Sequence, residues 1–285
     1  MKSKLKRKSI VCATVVVIAV LLYYFFYWQN NGLMITEYDY INEKVTADTD
    51  GYTIIHISDL HNKKFGTDNK KLIDKIAEEN PDMIVITGDI VDSKHTDINV
   101  AISFVENIVD IAPVYYVTGN HECYLSKGDF KKLEENMKNK GVHLLDNDYV
   151  SVNDNFYLMG IEDQNFNTYD NVNILDNTLN DMMENVQSDA LCILLAHEPQ
   201  QLDNYAKSNV DLVLSGHAHG GQFRIPFVDI GIVAPDQGFF PKYTAGEYQK
   251  DNTCMYVSRG LGNSIIPIRL FNRPEIVKVI LKNKE

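Results

Sequence analysis

The sequence predicts an α/β protein in which a parallel or mixed β-sheet is covered by helices, preceded by one membrane-spanning helix. From Gly51 onward, short apolar segments rich in β-branched residues alternate with segments of helical spacing, and continuous apolar strands are typical of a sheet covered on both faces. Before that, the run from Ile10 to Trp28 contains no charge and no proline. With 285 residues, 45% of them apolar, the chain can form one large core beside this helix.

The N-terminal segment has the features of an uncleaved signal anchor. A helix over residues 10–28 would span roughly the 30 Å hydrocarbon core of a bilayer. Its last residues, from Tyr23 to Trp28, are aromatic and suit the membrane interface. A cleaved signal peptide is one alternative, but cleavage requires small residues where Tyr27, Trp28 and Gln29 stand. A buried core helix is the other, but a basic tail before such a helix would be unusual.

The distribution of charge gives the predicted orientation and the segment boundaries. Five of the 27 basic residues lie within the first eight positions, so the positive-inside rule places this end in the cytoplasm. We therefore predict a cytoplasmic tail at residues 1–9, a transmembrane anchor at 10–28, a polar connector at 29–50 and an extracytoplasmic domain at 51–285. The formal net charge of −12 argues against nucleic-acid binding, because an acidic surface repels the phosphate backbone.

Within the domain, apolar runs and helical spacing predict the order of strands and helices. The predicted strands are Tyr52–Ser58, Met83–Thr87, Val114–Thr118, Val150–Val152, Phe156–Gly160, Ala190–Ala196, Leu212–Ser215, Thr253–Val257 and Ile276–Leu281. The predicted helices are Asn69–Asn80, Asn99–Ile108, Phe130–Lys140 and Gln200–Lys207.

Polar clusters follow five of these strands at the point where each strand ends. They are Asp59-Leu60-His61, Gly88-Asp89-Ile90-Val91-Asp92, Gly119-Asn120-His121-Glu122, His197-Glu198-Pro199 and Gly216-His217-Ala218-His219. Alone, each cluster is weak, because Gly-Asp or Gly-Asn after a strand is ordinarily a turn or a helix cap. Together they hold five of the eight histidines at the carboxyl ends of strands, where ligands bind in open α/β sheets. The combination predicts a metal site.

This ordered set of clusters resembles the calcineurin-like metallophosphoesterase superfamily, with all five blocks present between Asp59 and His219. Further details resemble its small membrane-anchored bacterial branch, which includes phosphodiesterases and lipid-linked sugar nucleotide pyrophosphatases. They are Ser58–His61, Leu195–Pro199, Ser215–Gln222, Ser258–Gly262 and Arg273–Glu275. The resemblance implies mixed β-sheets that are sandwiched together and flanked by helices.

The resemblance also implies two divalent metal ions and assigns their ligands. The first metal would be held by Asp59, His61 and His219, the second by Asn120, His197 and His217, and Asp89 would bridge both. Imidazole, carboxylate and amide ligands suit Mn²⁺, Fe or Zn²⁺. Two such ions can share a hydroxide that attacks phosphorus in line with the leaving group.

Two further residues receive catalytic roles from the same resemblance. His121 is implied to protonate the leaving-group oxygen or to stabilise its charge, rather than to bind metal. Asp92 is expected to pair with His121 and orient it, and a turn or helix-start role is the alternative for Asp92.

The sequence leaves alternatives for the residues that contact the substrate. Arg224 and Arg259 are the candidate phosphate-binding residues, because a guanidinium matches phosphate oxygens bidentately, and simple surface solvation is the alternative. The aromatic region Phe223–Tyr248 could cover an apolar substrate or contact the bilayer, although ordinary loop packing is the first expectation.

The predicted function is metal-dependent hydrolysis of phosphate monoesters or diesters, with lipid-linked or envelope esters among the candidate substrates. A nuclease is one alternative, disfavoured by the acidic charge and the membrane anchor. A non-catalytic metal-binding membrane protein is the other, disfavoured because every ligand position of the resembling family is filled.

Overall fold

The computed structural model describes residues 2–166, 174–187, 189–263 and 266–284. In these ranges the helices are α1 (Lys2–Asn31), α2 (Lys70–Glu78), α3 (Ile98–Ile108), α4 (Asn120–Cys123), α5 (Lys127–Asn139), α6 (Ile174–Met183) and α7 (Leu202–Lys207). The strands of the first half are β1 (Met34–Asn42), β2 (Thr53–Ile57), β3 (Met83–Thr87), β4 (Val114–Val117), β5 (His143–Leu144), β6 (Asp148–Asn153) and β7 (Phe156–Gly160). Those of the second half are β8 (Leu191–Leu195), β9 (Leu212–Ser215), β10 (Arg224–Ile225), β11 (Ile230–Gly231), β12 (Val233–Ala234), β13 (Gly238–Phe239), β14 (Gly246–Lys250), β15 (Thr253–Val257) and β16 (Glu275–Asn283).

The strands form two six-stranded mixed sheets. The first sheet has the order β1-β16-β2-β3-β4-β5, in which β2 to β5 are parallel and β16 runs antiparallel to β2. The second sheet has the order β14-β15-β9-β8-β7-β6, with β15, β9, β8 and β7 parallel and antiparallel strands at both edges. The predicted hairpin of β6 and β7 is confirmed. In both sheets the parallel strands place their carboxyl ends along one edge.

The two sheets pack face to face, and helices cover the outer face of each. Ile54 of the first sheet and Ile193 of the second belong to the shared central core. The next residue along each strand points outward, so Ile55 packs with α2, α3 and α5, and Leu194 packs with α6 and α7. Each such fully buried side chain stabilises the fold by roughly 1.5–3 kcal/mol relative to exposure. The predicted sandwich of mixed sheets flanked by helices is confirmed.

The structure differs from the sequence prediction at the connector. Residues 29–50 contain β1, which pairs in parallel with β16 from Met34 opposite Glu275 to Asn42 opposite Asn283. The folded domain therefore begins at Met34 and not at Gly51. The strand lies at a sheet edge with polar residues between its apolar ones, and its partner lies about 240 residues away, so local patterning did not reveal it.

The start of helix α5 also differs from the sequence prediction, and a helix cap explains the difference. Helix α5 begins at Lys127 and not at Phe130, because the Ser126 side chain caps it by accepting a hydrogen bond from the Asp129 backbone N–H. Such a cap satisfies one of the free N–H groups of the first turn.

Helix α1 carries the predicted membrane span. Its part from Lys6 to Asn31 is long and apolar enough to cross a bilayer, and its side chains in that stretch are mostly exposed. The last turns pack against the loop before β16. The rings of Phe25 and Phe271 lie 5.8 Å apart, and the Arg273 guanidinium lies 4.3 Å from the centre of the Trp28 ring.

Candidate metal centre

The predicted metal ligands converge at the edge where the parallel strands of both sheets end. Asp59 and His61 follow β2, Asp89 follows β3, and Asn120 opens the short helix after β4. The second sheet contributes the other three ligands, which follow β8 and β9 and are His197, His217 and His219. The six histidine and aspartate side chains are buried. The prediction that these strand ends meet is therefore matched by the geometry.

The first group of ligand atoms belongs to Asp59, His61 and His219. The Nε2 atoms of the two histidines lie 3.1 Å apart, and Asp59 Oδ1 lies 3.5 Å from His219 Nε2 and 4.0 Å from His61 Nε2. Burial lowers the pKa of both His61 and His219, so both rings are neutral near pH 7. A neutral imidazole is the form that binds a metal ion.

The second group of ligand atoms belongs to Asn120, His197 and His217. His217 Nδ1 lies 3.1 Å from Asn120 Oδ1 and 3.1 Å from His197 Nε2. The other nitrogen of His197, Nδ1, lies 2.7 Å from the Thr87 carbonyl oxygen. Donation of a hydrogen bond to that carbonyl fixes the ring orientation and directs Nε2 into the centre, as in many metal sites.

Asp89 lies between the two groups. Its Oδ2 atom is 3.5 Å from His61 Nε2 and 3.3 Å from His197 Nε2, and its Oδ1 accepts a hydrogen bond from the His121 backbone N–H at 2.8 Å. Burial raises the pKa of Asp89, but His197 outweighs burial and brings it well below the ordinary value. Conversely, burial lowers the pKa of His197, and the Asp89 carboxylate reverses this and raises it well above the ordinary value. A carboxylate in this position can bridge two cations.

The donor set fits two divalent metal ions. The ligand atoms of Asp59, His61 and His219 lie within 4.8 Å of one another, and so do those of Asp89, His197 and His217. Imidazole nitrogens combined with carboxylate and amide oxygens, without a thiolate, suit Mn²⁺, Fe or Zn²⁺.

The backbone at the ligand positions is strained. Asp59, His61, Asp89, His217 and His219 all have φ between +46° and +65°, the left-handed region that residues other than glycine rarely adopt. Each such residue costs on the order of 1–3 kcal/mol, and such strain concentrates at functional sites. The loops also approach closely. A Cβ on Gly88, whose φ is +79°, would lie 2.6 Å from the Gly119 backbone.

Glu122 is a central residue of the site to which sequence reasoning gave no role, although it stands in the cluster with Asn120 and His121. Its carboxylate accepts hydrogen bonds from four backbone N–H groups at 2.8–3.3 Å, those of Asp89, Ile90, Val91 and Gly119. It therefore ties the loop after β3 to the loop after β4. Burial and the charge of Asp89 raise the pKa of Glu122 to about 8, while the N–H donors of Gly119 and Asp89 favour the ionised form.

His121 contacts the loop that carries Asp92. Its ring lies edge-on to that of His61, with the centroids 4.4 Å apart, and its Nδ1 accepts a hydrogen bond from the Ser93 backbone N–H at 3.1 Å. Ser93 Oγ lies 3.2 Å from the same nitrogen. The Asp92 carboxylate accepts hydrogen bonds from the N–H groups of Lys94 and His95 and so holds the turn containing Ser93. Sequence reasoning missed Ser93. The direct pairing of Asp92 with His121 remains a prediction, with their ligand atoms within 4.8 Å of each other.

Asp236 is a second residue that sequence reasoning missed. Its Oδ2 lies 2.8 Å from His217 Nε2, the nitrogen opposite the one that faces the other ligands. This hydrogen bond lowers the pKa of Asp236 although 61% of its side chain is exposed. It lies in the turn between β12 and β13, inside the aromatic region, where no periodic pattern marks a polar residue as functional.

The two arginines predicted to bind phosphate take part in ion pairs. Arg224 is buried, donates hydrogen bonds to the Gly220 carbonyl and to Thr244, and pairs with Asp229. Arg259 lies with its Nε 3.5 Å from Glu275. Their roles toward substrate remain predictions.

Arg269 also lies beside the centre. It is fully buried, and its Nη2 lies 3.4 Å from His219 Nδ1. Its guanidinium donates hydrogen bonds to the carbonyl oxygens of Arg259 and Gly262, so it holds the loop that follows β15.

An open cleft of about 320 Å³ adjoins the second group of ligands. Its lining residues are Asn120, Tyr124, Gln164, Asn165, Glu198, His217, Pro235 and Asp236. Burial and the neighbouring Asp163 raise the pKa of Glu198 to about 7. The cleft can admit a phosphate ester from solvent to the ligands.

Comparisons with known proteins point to one family. A family model for the calcineurin-like phosphoesterases matches residues 52–221. The uncharacterized metallophosphoesterase YkuE of Bacillus subtilis is 31% identical over 87% of this chain and 85% of its own length. The uncharacterized metallophosphoesterase Cj0846 of Campylobacter jejuni is 31% identical over 90% of this chain and 66% of its own length. A Danio rerio protein named as a transmembrane protein with a metallophosphoesterase domain is 28% identical over 84% of this chain and 55% of its own length.

Proposed function

The chain belongs to the calcineurin-like phosphoesterase family, and from this premise we propose that its strand-end centre hydrolyses phosphate monoesters or diesters that are presented at a membrane surface. The chain is a metal-dependent phosphoesterase that uses two divalent metal ions. The observation that most supports the proposed site is the position of Asp89, whose Oδ2 lies within 3.5 Å of one histidine from each ligand group.

Each ligand group would hold one metal ion. Asp59, His61 and His219 would hold the first and Asn120, His197 and His217 the second, while Asp89 would contact both. When bound, two divalent ions supply an activated water and stabilise the charge that develops on the phosphoryl oxygens and the leaving group. The chain contributes rings of fixed orientation, since His197 is held by Thr87 and His217 by Asp236.

His121 would donate a proton to the leaving oxygen. Because the Ser93 N–H donates to Nδ1, the neutral ring carries its proton on Nε2. To act as the acid, the ring would first take up a second proton from solvent and then give its Nε2 proton to the departing alkoxide, which returns it to the neutral form. Without that second proton, the Nε2–H group would stabilise the alkoxide by a hydrogen bond. Ser93 and the Asp92 turn are the positioning residues for this step.

The proposed substrate class follows from location. The membrane helix ends against the loop that carries Arg269, which reaches His219, so a phosphate ester near the bilayer is within reach of the centre. We place residues 1–9 in the cytoplasm and the catalytic domain outside it, because the basic residues cluster before the anchor. Arg259, with 21% of its side chain exposed, is the better of the two proposed phosphate-binding arginines.

A hydrolysis panel tests the proposal. The full chain, purified in detergent and loaded with Mn²⁺, would be assayed on a phosphomonoester, a phosphodiester and a lipid pyrophosphate, with Asp89→Asn as the inactive control. We expect Mn²⁺-dependent turnover of at least one substrate class that chelation abolishes. Protein that binds two equivalents of Mn²⁺ and hydrolyses none of the three classes would contradict the proposed function.

A further inference from the structure

Exposed apolar side chains are concentrated in one part of the domain. Outside α1, eight of the ten exposed large apolar side chains of the described chain lie in residues 225–240 or 268–271. Phe227 is fully exposed, and the exposed fractions of Phe239 and Phe240 are 78% and 68%. Soluble domains rarely present such a patch without a binding partner. We call Phe227, Val228, Ile230, Phe239, Phe240 and Phe271 the aromatic surface.

Backbone contacts join these residues into one surface. Strands β10 and β11 form a hairpin with Phe227 and Val228 at its turn, and β12 and β13 form the next hairpin. Ile232 lies between the hairpins and links them: its carbonyl accepts a hydrogen bond from the Phe240 N–H at 2.9 Å, and its own N–H donates to the Phe223 carbonyl at 2.8 Å. The Arg224 N–H donates to the Leu270 carbonyl at 3.0 Å, which links the first hairpin to Phe271.

The aromatic surface is continuous with the end of the membrane helix. The Phe271 ring contacts Phe25, one of the aromatic residues in the last turns of α1. Next to this contact, the Arg269 N–H donates a hydrogen bond to the Asn30 side-chain oxygen at 2.8 Å, and the Asn30 amide donates to the Arg269 carbonyl at 3.3 Å. Since aromatic residues at the end of a membrane helix lie at the bilayer interface, Phe271 lies at or near that level.

The charged groups on the hairpins are compensated by partners. Asp229 pairs with Arg224 and lies 3.9 Å from Arg259, and Asp236 is hydrogen-bonded to His217. Lys242 follows the second hairpin. The surface therefore approaches lipid headgroups at lower electrostatic cost than the net charge of the whole chain would suggest.

The aromatic surface is also directly connected to the metal centre. Asp236, in the turn of the second hairpin, contacts His217, and Phe239 follows it three residues later. The hairpins thus contact both a ligand of the second metal and the loop that packs on the membrane helix.

We propose that the aromatic surface docks on the lipid bilayer in which α1 is embedded and holds the cleft against the headgroups. The docking rests on the contacts of the hairpins and on the membrane anchor alone. Its consequence, preferential hydrolysis of esters that reside in the bilayer, rests on the proposed function.

Tryptophan fluorescence tests the docking directly. The chain contains a single tryptophan, so Trp28→Phe provides a background without one. Phe227→Trp or Phe239→Trp would be introduced into that background, and the full chain reconstituted in phosphatidylcholine vesicles with or without brominated acyl chains. Ile41→Trp is the matched control, because Ile41 is 61% exposed and lies near the far end of β1, roughly 23 Å from Met34 at 3.3 Å per residue.

We expect brominated lipid to reduce the emission at positions 227 and 239 at least twofold and to leave position 41 nearly unchanged. Equal quenching at all three positions, or none at 227 and 239, overturns the docking. If light scattering shows a dimer that Phe227→Ser with Phe239→Ser dissociates, and the fluorescence is insensitive to bromine, the surface binds a second copy of the chain instead.

A pair of matched esters tests the consequence for catalysis. Two p-nitrophenyl phosphodiesters would be compared, one with a methyl group and one with a hexadecyl chain inserted in the same vesicles. The Phe227→Ser, Phe239→Ser and Phe240→Ser triple variant should hydrolyse the methyl ester within twofold of wild type and the hexadecyl ester at least tenfold more slowly. Equal loss on both esters would overturn the role in substrate access. Absence of activity in wild type would contradict the proposed function, while the fluorescence result would still decide the docking.

Discussion

His217 is held from both sides of its ring. Its Nε2 lies 2.8 Å from Asp236 Oδ2, and its Nδ1 lies 3.1 Å from both Asn120 Oδ1 and His197 Nε2. A carboxylate opposite the ligand nitrogen fixes the tautomer of a metal-binding histidine and raises its basicity. Asp236 is thus a positioning residue supplied by a loop that otherwise consists largely of apolar side chains.

Replacement of Asp236 by Asn should weaken one of the two metal sites. We expect the affinity for one equivalent of Mn²⁺ to fall about 10–100-fold, the usual effect of losing such a partner, with a smaller change in kcat at saturating Mn²⁺. Calorimetric titration and activity as a function of Mn²⁺ concentration measure both. Asp203→Asn, a surface carboxylate paired with Lys250, is the control and should behave as wild type. Wild-type affinity in Asp236→Asn would remove the residue from the metal centre.

Replacement of Asp89 by Asn tests the bridging position. An amide keeps the size of the side chain but removes the charge shared by the two groups, so occupancy should fall at both sites and turnover should be lost. Metal analysis by mass spectrometry and the hydrolysis assay together check this. Two full equivalents of metal with wild-type activity in this variant would rule out a dinuclear centre bridged by Asp89.

The positions of the ligands could be predicted because they depend on a general property of parallel sheets. Each cluster directly follows an apolar strand, and parallel strands end on one edge, so Asp59 and His217 meet although 158 residues separate them. Strands β3 and β9 have the bounds that the sequence predicts, Met83–Thr87 and Leu212–Ser215. The chemical roles given to these residues stay predictions.

The features that sequence reasoning missed depend on long-range or irregular contacts. Strand β1 forms only by pairing with β16 near the other end of the chain. Asp236 reaches His217 through a turn between two two-residue strands, which no periodic pattern marks. The roles of Glu122 and Ser93 come from backbone N–H groups, and a sequence does not show which backbone donors a side chain meets.

The stability of the domain should depend on pH through Asp146. This half-buried carboxylate accepts hydrogen bonds from the backbone N–H and the hydroxyl of Thr118, and burial raises its pKa from 3.8 to about 6. A raised carboxyl pKa means that ionisation destabilises the fold. The effect is absent below about pH 4, grows between pH 4 and 6, and is complete above pH 6, where it reaches about 3 kcal/mol at most.

Asp146→Asn removes this ionisation and keeps an oxygen that can accept from Thr118. At pH 8 the variant should unfold several degrees above wild type, and the difference should vanish or reverse near pH 4. Thermal unfolding followed by circular dichroism, with chelator present so that metal loss at low pH does not contribute, measures this. The exposed neighbour Asp148→Asn serves as the control. If Asp146→Asn and wild type differ in unfolding temperature by the same amount at pH 4 and pH 8, ionisation of Asp146 is not the cause of the difference.

The orientation in the membrane can be tested by proteolysis. Protease added outside intact cells or spheroplasts should digest the domain that begins at Met34, while a tag placed before Lys2 stays protected. The reason is the basic tail at residues 1–9, which the positive-inside rule retains in the cytoplasm. A domain that is protected, or one released in soluble form with its first residue near position 30, would contradict an uncleaved anchor with an external domain.

Replacement of His121 separates proton donation from metal binding. His121 is assigned to the leaving group, so His121→Ala or His121→Gln should retain both metals while turnover falls by roughly 10²–10⁴, the usual contribution of a positioned acid. The loss should be smaller for esters of nitrophenol, because a nitrophenolate needs little protonation to depart. Metal analysis and a series of leaving groups of increasing pKa measure the two effects independently.

Variants of the residues that orient His121 should show a smaller loss of turnover with the same dependence on the leaving group. Ser93→Ala removes the hydroxyl 3.2 Å from Nδ1 but keeps the backbone donor, and Asp92→Asn loosens the turn that presents Ser93. Both variants should therefore retain metal and lose less activity than His121→Ala, with the largest loss on the poorest leaving groups. The ligand atom of His121 also lies within 4.8 Å of those of His61 and Asp92, a third group that could bind a cation. Loss of a metal in His121→Ala, or equal slowing of all leaving groups, would identify His121 as a ligand or a structural residue and not as the proton donor.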